Sequence, residues 1–175
     1  MRVAAPLPRD DSPTRRIIDV TEDRYPECLA VLQTAFGTVA AEFGLTRANT
    51  PSNPAFWDVA EVARVVAKPM QLVAVEQAGE IVGCAFVGPA GSRPQVWELR
   101  HLAVVPAARH RGYGERLVGE AGRRARRAGV GRLRIGIIAE NRRLAAWYEQ
   151  LGFVSEGTQG YPGLVFTVER LTLLL

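Results

Sequence analysis

The chain has 175 residues, 47% of them hydrophobic and 23% charged, with a net charge of +4. That length suits one domain with a real core, and the absence of any run of eighteen apolar residues argues against a membrane span. Two cysteines, Cys28 and Cys84, and two histidines are too few for a disulfide framework or a ligand cluster. No metal is expected, and the cysteines read as small buried residues in a reducing cytoplasm.

Residues 1–14 are rich in Pro, Arg, Asp and Ser and read as a mobile tail ahead of a single domain over 15–175. The first residues, Met1 to Pro8, lack an apolar core of signal-peptide length. A strand is predicted over 16–20. A helix over 25–36 follows, with apolar residues at 29, 31, 32, 35 and 36 and Pro26 in its first turn. Asn49, Pro51, Ser52, Asn53 and Pro54 mark a loop, and Phe56, Val59, Val62, Val65 and Val66 a second helix over 55–66. Strands over 71–77 and 80–88 form a hairpin about Ala78-Gly79. The chain turns at 89–94 and runs as a strand over 96–104. A helix over 114–128, a strand over 132–138, a helix over 141–150 and strands over 153–158 and 164–173 complete it. The order βααβββαβαββ predicts an α/β fold, a mixed sheet with helices on both faces.

Two motifs carry chemistry. In the first, an apolar strand ends at Pro106, and Arg109-His110-Arg111-Gly112-Tyr113-Gly114 leads into a helix. The first N–H groups of a helix have no intrahelical partner and its dipole favours an anion there. Gly112 and Gly114 let a phosphate approach the backbone, and Arg109 and Arg111 can add charge-assisted bonds. No Gly-Lys-Ser/Thr follows and the G-x-G-x-x-G spacing is absent, so this is neither a Walker loop nor a dinucleotide fingerprint. In the second, Asn141 stands as an N-cap ahead of a helix whose face is Leu144, Trp147, Tyr148 and Leu151, with Gly152-Phe153 after it.

Taken as a pair, R-x-x-G-x-G after one strand and N-x(6)-Y-x(3)-G-F after the next resemble the GNAT superfamily of N-acetyltransferases. The pair covers 98–153. With the segments Phe36 to Thr46 and Ile135 to Asn141, the likeness extends from about Arg16 to Leu173, towards a bacterial subgroup of mostly unassigned substrate. The resemblance implies a GNAT-type sheet that splays between its fourth and fifth strands, with acetyl-CoA in the gap as co-substrate. The backbone of Leu102, Ala103 and Val104 would pair with the pantetheine arm. The N–H groups of His110, Arg111, Gly112, Tyr113, Gly114 and Glu115 would hold the pyrophosphate. Arg109 stands at the Q/R position of the motif, and Asn141 would reach the cofactor arm.

Tyr148 aligns with the family's general acid, serving a leaving thiolate whose parent thiol has a pKa of about 8.5 to 9 by analogy with cysteine. Glu98 matches the base glutamate of one branch, where apolar strand neighbours would raise its pKa. A second branch places a glutamate where this chain has Gly136. Glu140 and His101 are weaker base candidates. Phe36, Glu42 and Tyr161 are candidates to line the acceptor site, with Phe43, Phe56 and Phe166 beside them.

The expected activity is direct acetyl transfer to a primary amine of a small molecule or peptide. A non-catalytic acyl-CoA-binding domain and a protein N-terminal or lysine acetyltransferase are the alternatives, and a homodimer is left open. Arginines are dense from Arg109 to Arg143. They read as a solvated helix face or a basic rim drawing in an anionic cofactor; no aromatic interleaving points to nucleic acid.

Overall fold

The alternating and 3.6-residue patterns of the sequence are realised in a computed structural model that describes residues 15–91 and 93–175; the tail expected over 1–14 lies outside the described residues. The strands are β1 (Arg15–Asp19), β2 (Gln71–Gln77), β3 (Glu80–Ala90), β4 (Arg93–Val104), β5 (Arg132–Ile138), β6 (Val154–Gly160) and β7 (Thr167–Leu174). The helices are α1 (Tyr25–Phe43), α2 (Val59–Ala67), α3 (Tyr113–Arg127) and α4 (Arg142–Gln150). The order is the one expected.

Two helices differ from expectation. α1 runs on through Gly37 and stops at Gly44, whose φ of 64° lets its N–H close onto the Ala40 carbonyl. A single glycine costs a helix only about 1 kcal/mol, and Ala40 beyond it is buried, so packing carries the helix onward. The predicted helix over 55–66 is two elements. Residues 54–56 make one 3₁₀ turn, and Asp58 then caps α2 by accepting from the Glu61 N–H at 3.1 Å. The apolar spacing is the same in both, so periodicity alone could not part them.

The seven strands form one sheet in the order β1-β2-β3-β4-β5-β7-β6. Neighbours are antiparallel except β4 and β5, which are parallel and share only two pairs, Trp97 with Leu133 and Glu98 with Arg134. Past those pairs the strands part. β4 stays with β3 as far as Val104, while β5 stays with β7. The β3–β4 register also shifts between Cys84 and Phe86, and within that bulge His101 takes a φ of 51°.

A core lies on each face of the sheet. One packs α3 and α4 against it through Leu117, Ala121, Leu133, Ile135, Tyr148 and Phe153. The other packs α1 and α2 through Cys28, Leu32, Val62, Cys84 and Phe86. No residue of β5, β6 or β7 belongs to this second core. On that side the sheet therefore has helices over one half only. Among the described residues, no helix is long and apolar enough to cross a membrane.

Candidate active site

The glycine turn opens α3 as the sequence suggests, but its two glycines do different work. Gly112 is the N-cap residue with φ 79°, a left-handed backbone that an L side chain rarely adopts. Gly114 is held to glycine by packing: a Cβ there would lie 3.1 Å from the Trp147 ring of α4. Arg116 N–H closes onto the Gly112 carbonyl at 3.1 Å, so the N–H groups of Tyr113, Gly114 and Glu115 precede the first helical bonds and point out of the helix end. His110, Arg111 and Glu115 are exposed around them. The Tyr113 side chain is buried and donates to Gln77 Oε1 at 2.6 Å, so that residue offers the turn only its backbone.

Arg109 does not project into this turn. Its Nε donates to the Val104 carbonyl at 3.3 Å, and Nη2 donates to the Ala35 carbonyl at 3.3 Å and to Thr38 Oγ1 at 3.0 Å. The guanidinium expected on the phosphate instead ties the end of β4 to α1. Just before it, Ala103 and Val104 pair with Cys84 and Gly83 of β3 and have no partner in β5. The β5-side edge of β4 is thus an unpaired strand edge inside a sheet, which an extended ligand arm can complete.

Tyr148 is buried on α4 in the first core, edge-on to Trp147 at 4.7 Å and Phe153 at 5.2 Å between ring centroids. Burial pushes its phenol above the usual tyrosine value, so it stays protonated at neutral pH. Asn141 is buried and caps α4, its Oδ1 accepting from the Leu144 N–H at 3.1 Å. The capping role is realised, and no described group accepts from its amide nitrogen.

At the crotch of the split lies a cavity of about 220 Å³ lined by Glu98, Arg100 and His101 of β4, Arg134, Ile135 and Gly136 of β5, and Val168 and Arg170 of β7. Strand alternation puts Glu98 on the side opposite Leu99, which belongs to the core holding Tyr148. Glu98 and Tyr148 therefore lie on opposite faces of the sheet. The expected apolar surroundings of Glu98 are corrected here: its Oε2 accepts from Arg100 Nε at 2.5 Å, and two more arginines line the same cavity. His101 packs edge-on against Trp57, Phe86 and Phe36 at 4.7, 5.9 and 6.0 Å between centroids. Burial, helped by the Arg100 charge, lowers its pKa to about 4, so the imidazole is neutral at pH 7.

Residues 38–153 match the acetyltransferase (GNAT) family. The chain belongs to that family. The amino-acid acetyltransferase of Pseudomonas putida is 34% identical over 92 residues, which cover 53% of this chain and 20% of that protein. The chain thus spans about a fifth of the length of the curated relatives it matches. Among solved structures, the ribosomal-protein-alanine N-acetyltransferase of Brucella melitensis superposes with a TM-score of 0.69 at 24% identity, covering 91% of this chain and 99% of that one. The paia N-acetyltransferase of Thermoplasma acidophilum, solved in complex with coenzyme A, gives 0.74 at 15% identity, covering 90% and 98%. These structures share the overall fold of this chain.

Within this GNAT frame the acceptor-site candidates part company. Phe36 reaches the cavity through its contact with His101. Tyr161 reaches it through Arg170, which donates to the phenol oxygen and lies over the ring with its guanidinium carbon 5.7 Å from the centroid. Glu42 is turned away and pairs with Arg143 of α4 at 3.4 Å. Gly136 does line the cavity, so no carboxylate comes from β5. Glu140 is occupied beside β7, accepting from the Thr167 N–H at 3.5 Å. Sequence reasoning missed Arg100, Arg134 and Arg170. The alternation Arg132-Leu133-Arg134-Ile135-Gly136 marks one polar face, but only the pairing of Gly136 with Arg170 brings β7 to it.

Proposed function

We propose that this chain transfers the acetyl group of acetyl-CoA directly to a primary amine of a small molecule or peptide. The observation that carries the reading is the split between β4 and β5, with a carboxylate lining it on one face of the sheet and a buried phenol in the core of the other. Residues 15–175 act as one domain, since both cores are built on one sheet. An acetyl-CoA donor makes the cytoplasm the place of work.

The donor supplies an activated thioester. On the chain's side, the turn N–H groups of Tyr113 to Glu115 hold the pyrophosphate, and the free edge of β4 from Leu102 to Val104 pairs with the pantetheine arm. Asn141 adds its amide nitrogen to the same arm. The amine enters from the cavity face and gives up its ammonium proton to Glu98. Tyr148, on the far face, serves the sulfur as the C–S bond breaks. Attack on the carbonyl carbon gives a tetrahedral adduct; it expels the thiolate, and the remaining proton on the nitrogen ends on the sulfur as the free thiol, so Glu98 serves the nitrogen and Tyr148 the sulfur. Because burial has raised the phenol further above a thiol, Tyr148 acts chiefly as a hydrogen-bond donor to the developing thiolate.

Incubating the protein with acetyl-CoA and a panel of primary amines, with the acetylated amine detected by mass, tests the reading. Turnover that falls about 10²–10⁴-fold in Tyr148→Phe, with acetyl-CoA affinity unchanged, is expected. Saturable acetyl-CoA binding without transfer to any amine would instead favour a non-catalytic binding domain.

A further inference from the structure

The cavity at the split has more cation than its own acids satisfy. Arg100 is paired with Glu98. Arg134 Nε lies 3.3 Å from Glu156 Oε2 but outside hydrogen-bond geometry, and it is buried without a hydrogen-bond partner. Arg170 meets no carboxylate among the described residues and donates only to the neutral phenol of Tyr161. Thr172, the cross-strand neighbour of Arg134, also carries a buried hydroxyl without a partner. Arg134, Arg170 and Thr172 stand on β5 and β7, which contribute nothing to the core under α1 and α2. Guanidinium groups left short of acceptors beside a half-open cleft suit a planar anion that accepts two parallel N–H bonds.

We infer that the acceptor carries a carboxylate as well as its amine, and that Arg170 and Arg134 hold that carboxylate while the amine faces Glu98 at the split. This deepens the acetyltransferase reading and rests on it. The cavity is partly open to solvent, so charge rather than size sets the class, an amino carboxylate such as an α-amino acid. Polyamines, aminoglycosides and lysine-rich tails are disfavoured, since each brings positive charge to a cavity already in cationic excess. Tyr161 is a positioning residue here, because it fixes the Arg170 guanidinium from below.

The test measures binding and transfer separately. Calorimetry on the CoA-loaded protein compares the common L-amino acids with their α-amides and decarboxylated amines. At least about tenfold tighter binding of one or more amino carboxylates over the matching amide is expected, the scale of one charge-assisted pair. Arg170→Gln should erase that preference, and Arg134→Gln should weaken it, while both keep acetyl-CoA affinity and the circular-dichroism spectrum. Equal binding of acids and amides overturns the inference, as does a loss of acetyl-CoA affinity in Arg170→Gln, which would place the arginine on the donor. Transfer to amines regardless of a carboxylate overturns it and leaves the transferase reading standing. Selective binding of amino carboxylates without any transfer upholds the carboxylate site and sinks the transferase reading.

Discussion

At the scale of single residues, the same amino acid serves opposite ends. Gly112 is required by its left-handed backbone at the helix end proposed to hold the pyrophosphate, whereas Gly114 is required by the Trp147 ring. Gly112→Val is expected to weaken acetyl-CoA binding more than tenfold by calorimetry, through strain and a blocked approach, with the protein still folded. Gly114→Val should show its effect first in stability, as a lower midpoint in chemical denaturation, because the new side chain meets Trp147 before it meets any ligand. Equal loss of stability in both variants would mean that the turn is only a packing device. Tyr148 illustrates the limit of motif reading: its place in the motif marks the residue, but only its burial keeps the phenol protonated at neutral pH, as the proposed donor role requires.

Among elements, the joint between β4, its following loop and α1 decides the shape of the split. Arg109 makes three hydrogen bonds there, two of them to α1 across more than seventy residues of chain. Arg109→Ala is expected to lower the unfolding free energy by about 1–3 kcal/mol, since carbonyls at the joint lose a charged donor. Amide exchange should quicken in the second half of α1, and the effect on acetyl-CoA affinity should be smaller than that of Gly112→Val. An affinity loss as large as that of Gly112→Val, with α1 exchange unchanged, would return Arg109 to the phosphate. The bulge in β4 is a second joint. It turns His101 into a ring cluster formed by α1, the loop before α2, and β3.

For the whole molecule, the acid side of the stability curve should be the weak one. His101 has a lowered pKa, so the unfolded chain binds its proton more readily than the folded one. Its contribution is present above about pH 6.5 and is lost as pH falls towards 4. The full shift corresponds to about 3 kcal/mol. Glu76, buried and accepting from Arg16 and Arg24 at 2.7 Å each, has its carboxyl held below the usual range. Its contribution is therefore lost only further down, as that carboxylate becomes protonated. Denaturant midpoints should fall between pH 6.5 and 4, and His101→Asn, which tolerates the left-handed backbone, should flatten that window alone. A slope unchanged in His101→Asn would assign the acid limb to other groups.

The sequence by itself determined the element order, the two-faced α/β sheet, the glycine turn and the helix bearing Asn141 and Tyr148. Each of these is written in local spacing: periods of 2 and 3.6, caps, and two short motifs within 55 residues of each other. What it could not fix was decided by pairing across the chain. β4 and β5 share only two residue pairs, and no local pattern says where two strands part. Glu98 looked like a carboxylate among apolar neighbours because its flanking residues are apolar. In the folded sheet Arg100 lies on its own side, and Arg134 and Arg170 arrive from strands paired at long range. The arginine-lined cavity exists only once β7 lies beside β5, because a strand's face is legible in sequence but its neighbour is not.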